Sequence, residues 1–308
     1  MAEMTPRPIG ETRRGRERAT SFSEFSVPLL QRTHALKQFH LGASGWLGVV
    51  LVAMFILIGV SAPLLAPNDP TKLHPAQALQ GPSAQFPIGT DNLGRDLLSR
   101  LLYGSRLSLG TAGFAAVLIM TIGVTVGAIS GYAGGWVDIL VMRVVDVLLA
   151  FPSLVLALAI AGILGPSIVN AMIGLVSVWW VEYARIVRGL VLTLRERPYV
   201  EAARAIGART PRILLYHILP NIAAPVIVLV TLEMGTLILA IAGLNFLGLG
   251  AQPPTPEWGA MLNEGRPFLQ TAPQLMVYPG LAISLTVLGF NLLGDGLRDA
   301  LDPRLKNS

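Results

Sequence analysis

The sequence predicts an all-α integral membrane protein with six transmembrane helices and both ends on the inner side of the membrane. Three observations carry that prediction. Of the 308 residues, 53% are hydrophobic and only 13% charged, far from the balance of a soluble domain. The charges gather in blocks, leaving apolar runs of roughly the 20 residues that a helix needs to cross a bilayer core. All but five of the 23 Lys and Arg residues fall on one set of alternating segments. Short basic segments stay in the cytoplasm, so that set is assigned to the inside.

Residues 1–45 read as a cytoplasmic tail, too long and polar for the charged region of a signal peptide, with Ser21 to His40 able to form a surface helix. The run WLGVVLVAMFILIGVSAPLLA, 46–66, is the first span, and 67–106 form an outer loop. In that loop DNLGRDLLSRLL, 91–102, puts Leu93, Leu97, Leu98, Leu101 and Leu102 on one stripe opposite Arg95, Asp96, Ser99 and Arg100. The stripe predicts an amphipathic helix lying along the outer interface, with packing under the outer loops as the alternative to a gating role.

The core runs over 107–295 and holds the other five spans. An uncharged run begins at Leu107 and ends its helix at the break GYAGG, 131–135; within it Gly123, Gly127 and Gly131 lie four apart and invite close approach of another helix. Nothing is charged between Asp146 and Glu182, room for most of two helices, with ILGPS at 163–167 as their turn. The fifth span runs from about Ile218 to Leu249, interrupted by Glu233, and the sixth is 273–294; a cytoplasmic tail, 296–308, follows. Arg143 with Asp146, and Glu182 with Arg185, are i, i+3 pairs expected to stabilise helix ends.

Between spans four and five lies a loop, 190–216, containing YVEAARAIGARTPRILLYHILPN. Pro198 suits a first helical turn, Gly207 a helix end, and Pro211 opposes continuation, so a helix of about nine residues is expected. Tyr199, Ala203 and Ile206 share one face with Ala202 and Val200 beside them, while Glu201 and Arg204 project elsewhere. So short a helix must be held by packing. Two uses of a small-residue knob are open: entry into a groove on another protein, or folding back on its own bundle.

The segment EAARAIGARTPRILLYHILP resembles the signature loop, the EAA motif, of bacterial binding-protein-dependent ABC importer permeases. Glu201, Ala202, Ala203 and Gly207 match it by position, Leu219 and Pro220 close it, and His217 replaces the usual isoleucine, as in the peptide-importer branch. IGTDNLGRDLLSRLLYGSRLSL (88–109), MRVVDVLLAFPSLVLAL (142–158) and LNFLGLGAQPPTPEWGAMLNEGR (244–266) are similar to the dipeptide and oligopeptide permease subunits. The resemblance covers roughly residues 40–305. It implies a six-span, N-in/C-in, MetI-like type I importer fold in the bacterial inner membrane, paired with a second, homologous permease.

It further implies that Tyr199, Glu201, Ala202, Ala203, Arg204, Ile206 and Gly207 form a coupling helix docking to one or two ABC ATPases, which bind ATP and Mg. An extracytoplasmic peptide-binding protein is expected to deliver cargo. Glu257, Trp258 and Glu264 are candidates for touching that protein, for an outer gate, or for plain loop packing. Nickel and glutathione importers share these motifs.

Other function classes fit less well. The lysines, Lys37, Lys72 and Lys306, stand in no P-loop, so the ATPase is expected on another chain and no cofactor on this one. The four histidines make no metal pattern, cysteine is absent, and no carboxylates stand at catalytic spacing, so an enzyme is not expected. The net charge of +5 comes without aromatic interleaving, pointing to membrane lipid and not to nucleic acid. An ion-coupled secondary transporter needs intramembrane acids. Glu233 alone lies deep in a span, where a proton relay or a hydrogen bond to the second permease is open to it.

Overall fold

A computed structural model describes residues 41–301; the helix expected over 21–40 lies outside the described residues. The chain forms α1 (Ala43–Leu65), α2 (Leu97–Ala133), α3 (Gly135–Leu149), α4 (Ser153–Leu164), α5 (Ile168–Arg195), α6 (Pro198–Ala205), α7 (Thr210–Ile213), α8 (Leu219–Phe246), α9 (Trp258–Gly265) and α10 (Gln274–Leu301). One π-helical turn, Leu214–Ile218, joins α7 to α8. Among the described residues the extended backbone amounts to an isolated bridge between Thr90 and Asp96.

Helices α1, α2 and α10, and the run Thr210–Phe246, are long and apolar enough to cross a membrane. A fifth crossing follows if α3 and α4 count as one span bent by 85°. The bend at Ala150–Pro152 was not legible in the uncharged run: Pro152 cannot donate to a continuing helix, and α4 begins directly after it. The turns at GYAGG and ILGPS stand where expected, with Gly134 at φ +65° and Gly165 at φ +90°.

Helix α1 is apolar all round, as a lipid-facing helix must be. Its inward face is made of small residues, Gly45, Gly48, Gly59 and Ala62, with Val52 and Phe55. A Cβ on Gly48 would stand 2.3 Å from the backbone nitrogen of Leu293 in α10, so the two backbones touch. The same device joins α2 to α5. A Cβ on Gly127 would lie 2.4 Å from the Ala184 carbonyl oxygen, one on Gly123 2.6 Å from Cβ of Tyr183, and one on Gly131 2.9 Å from the Arg188 carbonyl oxygen. Small residues bring helices together in lipid, where dispersion contacts replace the hydrophobic drive.

The segment 91–102 departs from its expected form. Leu97 opens α2 itself and is buried, and the polar stripe is buried as well: Arg95, Asp96 and Arg100 are each 1% exposed, whereas Leu93 is 41% exposed. Neither of the two expected helix-end pairs forms an ion pair among the described residues. Arg185 bonds to Asp146 of α3 instead of Glu182, because α3 and α5 run close enough for a bridge between helices.

Adding one methyl group at Gly127 separates packing from propensity. Gly127→Ala is expected to destabilise the detergent-solubilised protein by about 1–3 kcal/mol through overpacking. Gly113→Ala, on the same helix with nothing within 4 Å of the new Cβ, is expected to hold or raise the melting temperature, since alanine favours a helix interior over glycine.

Candidate functional site

At the arginine-rich end of the bundle, α6 is eight residues long and starts on Pro198. Proline at the first position lacks only an N–H that has no helical partner there. Glu201 lies in its first turn and Arg204 in its last, each matched to the helix dipole. The chain leaves through Gly207 at φ +81°, with Gly207 N–H donating to the Arg204 carbonyl and Ala208 N–H to that of Ala203, both at 3.0 Å.

Val200, fully buried, and Ala203, 6% exposed, pack with Val187 and Val191 of α5 and with Ile213, Ile218 and Ile222. Ala203 was expected on the outward contact face and lies inward instead. In a two-turn helix one apolar stripe must seat the helix, and Val200 with Ala203 at i, i+3 are that stripe. The outward face holds Tyr199, 42% exposed, and Ile206, 86% exposed, with Glu201, Ala202 and Arg204.

Side chains brace this knob against the ends of α2 and α3. The Arg204 guanidinium stands 5.8 Å from the Tyr132 ring centroid, within cation–π range. Arg195 Nη1 donates to the Gly131 carbonyl at 3.0 Å. Arg188 grips both oxygens of Asp138 at 2.5 Å, and Ser130 Oγ donates to one of them at 2.6 Å. A recess of about 460 Å³ lies beside the helix, lined by Tyr132, Arg195, Glu196, Glu201, Arg204, Ala208 and Thr210. His217 sits in the π turn, where its carbonyl accepts from Asn221 at 2.6 Å.

At the opposite end, the three outer candidates turn inward. Glu257 is fully buried and Trp258 is 1% exposed, so neither side chain is open to another protein here. Glu257 caps α9 by accepting from Ala260 N–H at 2.9 Å, and it accepts from Ser108 Oγ at 2.7 Å. Burial pushes its carboxyl above the usual glutamate range, against these hydrogen bonds. Trp258 donates its indole N–H to the Leu101 carbonyl at 3.0 Å and meets Phe55 edge-on at 5.8 Å. Gly104 leaves the ring its place: a Cβ there would be 2.6 Å from it.

Glu264 joins a buried ion cluster that sequence reasoning missed. Its Oε2 accepts from Arg95 at 2.5 Å and from Arg100 at 2.8 Å, while Arg95 Nε donates to Asp91 at 2.6 Å. The one available signal was the polar stripe of 91–102, and it named no partner, because Glu264 lies 164 positions beyond Arg100. Midway along α8, Glu233 accepts from the Trp179 indole N–H of α5 at 2.9 Å, a bond within the chain where one to a second permease was open. No group of three or more His, Asp or Glu side chains able to hold a metal gathers among the described residues.

Residues 123–307 match the family model of the binding-protein-dependent transport system inner membrane component. The chain belongs to that family. It is a permease subunit of an ABC importer, a multi-pass inner membrane component. It is 49% identical over 273 residues to the dipeptide transport system permease protein DppC of Alkalihalophilus pseudofirmus, covering 89% of this chain and 90% of that one. It is 46% identical to the glutathione transport system permease protein GsiD of Pectobacterium atrosepticum, over 84% and 86% of the two chains. A solved structure of the MetNI methionine ABC transporter, in inward-facing conformations, superposes with a TM-score of 0.52 at 18% identity, covering 67% of this permease and 98% of that chain. That likeness shows the MetI-like fold.

Two outcomes test the outer end. Because the folded Glu257 value lies above its ordinary 4.5, the wild type loses stability as pH rises from that value through the folded one. Glu257→Gln, neutral throughout, is expected to show a smaller fall in melting temperature between pH 5 and pH 8. Glu264→Ala leaves Asp91 as the one carboxylate shared by two buried guanidinium groups and is expected to cost about 3 kcal/mol, read as a lower melting temperature and yield.

Proposed function

We propose that this permease is one half of a heterodimeric channel for di- and oligopeptides in the bacterial cytoplasmic membrane. The chain crosses six times, N-in and C-in, with α5 as the crossing whose Glu182, Arg185, Arg188 and Arg195 lower its hydropathy. Its 28 residues extend about 42 Å at 1.5 Å per residue, enough to span. The arginine-rich end is then cytoplasmic, as the charge distribution requires.

A single observation carries the mechanism: α6 is seated on its own bundle by Val200 and Ala203 while Tyr199, Glu201, Ala202, Arg204 and Ile206 face outward. A helix so held transmits a push from a docked ATPase to α5 through the packed valines. It also reaches α2 through Arg204 and Tyr132. ATP and Mg reside on the one or two ATPase subunits, and this chain performs no catalysis. A peptide-binding protein meets the outer end, where α9 is clamped to the start of α2 by Glu264 and its arginines.

Peptide cargo is supported by the 49% identity to a dipeptide permease. Glutathione is a second reading, favoured by the 46% identity to a glutathione permease. Isolating the complex and measuring which loaded binding protein stimulates ATP hydrolysis decides between them.

Gly207→Val tests the coupling role. Open space surrounds Gly207, so the penalty comes from φ +81° alone, a conformation that a β-branched residue resists. Membrane insertion is expected to persist while peptide uptake and stimulated ATP hydrolysis are lost. Undiminished uptake defeats the assignment.

A further inference from the structure

The end of α1 adjoins the start of α2, where Asn68 N–H donates to Ser99 Oγ at 3.1 Å. Just below that point a groove of about 330 Å³ lies between the two helices, lined by Ile56, Gly59 and Val60 of α1 and by Arg106, Leu109 and Gly110 of α2, among others. Their backbones touch at its floor: a Cβ on Gly59 would stand 3.1 Å from the backbone nitrogen and Cα of Arg106. Arg106 is exposed and makes no ion pair among the described residues. Beyond Gly59, α1 continues to Leu65, about 9 Å at 1.5 Å per residue. Val60, Leu64 and Leu65 on that stretch are all exposed. The guanidinium therefore springs from a level at which the helix surface is still apolar, where an unpaired charge is costly and requires a partner.

The order of polarity along the groove identifies that partner. Arg106 and Val60 stand at the end nearer Leu65, while Ile56 on α1 and Leu109 and Gly110 on α2 lie about one turn deeper. A phospholipid has the same order, a phosphate toward the water and an acyl chain beneath it. Arginine binds phosphate through its fork of donors, and its long stem lets the charged head extend along apolar surface toward the interface. A helix of another chain is too thick to enter, since one turn, 5.4 Å long and 10–12 Å across, fills about 420–610 Å³. Nothing lies within 4 Å of a Cβ on Gly110, so the deeper part is open to a narrow chain. A carboxylate on another polypeptide would satisfy Arg106 and leave the aliphatic walls uncovered.

We propose that this groove holds an anionic phospholipid, with its phosphate on Arg106 and one acyl chain beside Ile56, Leu109 and Gly110. The lipid belongs to the leaflet at the Leu65 end, which is the outer one when the arginine-rich end is cytoplasmic.

The test is native mass spectrometry of the complete importer, delipidated in detergent and titrated with dioleoylphosphatidylglycerol or dioleoylphosphatidylcholine. Wild type is expected to hold one more phosphatidylglycerol per permease than Arg106→Gln, bound about tenfold more tightly, the size of one charged hydrogen bond. Phosphatidylcholine is expected to show no such difference. Gly110→Leu, which puts a side chain into the open groove, loses the same lipid with Arg106 intact, and Arg106→Lys keeps it. Equal phosphatidylglycerol occupancy in wild type and in either Arg106→Gln or Gly110→Leu overturns the site. So does an equal loss of both lipids in Arg106→Gln, or failure of that variant to assemble with a second permease, which assigns the guanidinium to a protein carboxylate. Because the readout is bound lipid, the result stands apart from which cargo the importer carries.

Discussion

The backbone contact between α2 and α5 is the constraint on which the rest of the structure depends. Gly123, Gly127 and Gly131 let the two helices meet main chain to main chain, and in lipid that closeness supplies the attraction that water supplies elsewhere. Because the contact is made by three residues on one face, it sets both the rotation of α5 and its height against α2. The positions of Arg188 and Arg195 follow, and so does the point at which the chain turns into α6.

From that point the arginine-rich end is built by short-range electrostatics laid over apolar packing. The Arg188–Asp138 pair is bidentate, the geometry in which arginine binds carboxylate most strongly. Arg195 takes a carbonyl freed at the broken end of α2. Arg204 lies over Tyr132 and ties α6 to the same helix end. A knob joined to α5 by valines and to α2 by a guanidinium moves with both. The opposite end uses the buried cluster of Asp91, Arg95, Arg100 and Glu264, so each end of α2 is fixed by charges of its neighbours.

Much of this was legible in the sequence because membrane helices obey local rules. Uncharged length marks a crossing, Gly and Pro mark its ends, and arginine marks the side. Helix α6 could be bounded by Pro198 and Gly207 for the same reason. Several departures concern which way a side chain points. Ala203 was put outward and lies inward, Arg95 and Arg100 were put at an interface and are buried, and of the three places open to Glu257 and Trp258 their burial agrees with packing beneath the loop end. A stripe on a helical wheel says which residues share a face, and the neighbouring helices decide what that face meets.

By itself the sequence determined the all-helical membrane class, the small-residue faces, the short helix between Pro198 and Gly207 and the chain's kinship with importer permeases. These depend on spacing and composition within a few turns of chain, where backbone sterics and lipid exclusion act. Tertiary structure alone decided the 85° bend between α3 and α4, the partner of Glu233 and the ion cluster centred on Glu264. The partner of Glu233 and the ion cluster rest on encounters between residues tens to more than a hundred positions apart. Their energies arise from desolvation and charge pairing, which exist only once the helices have met.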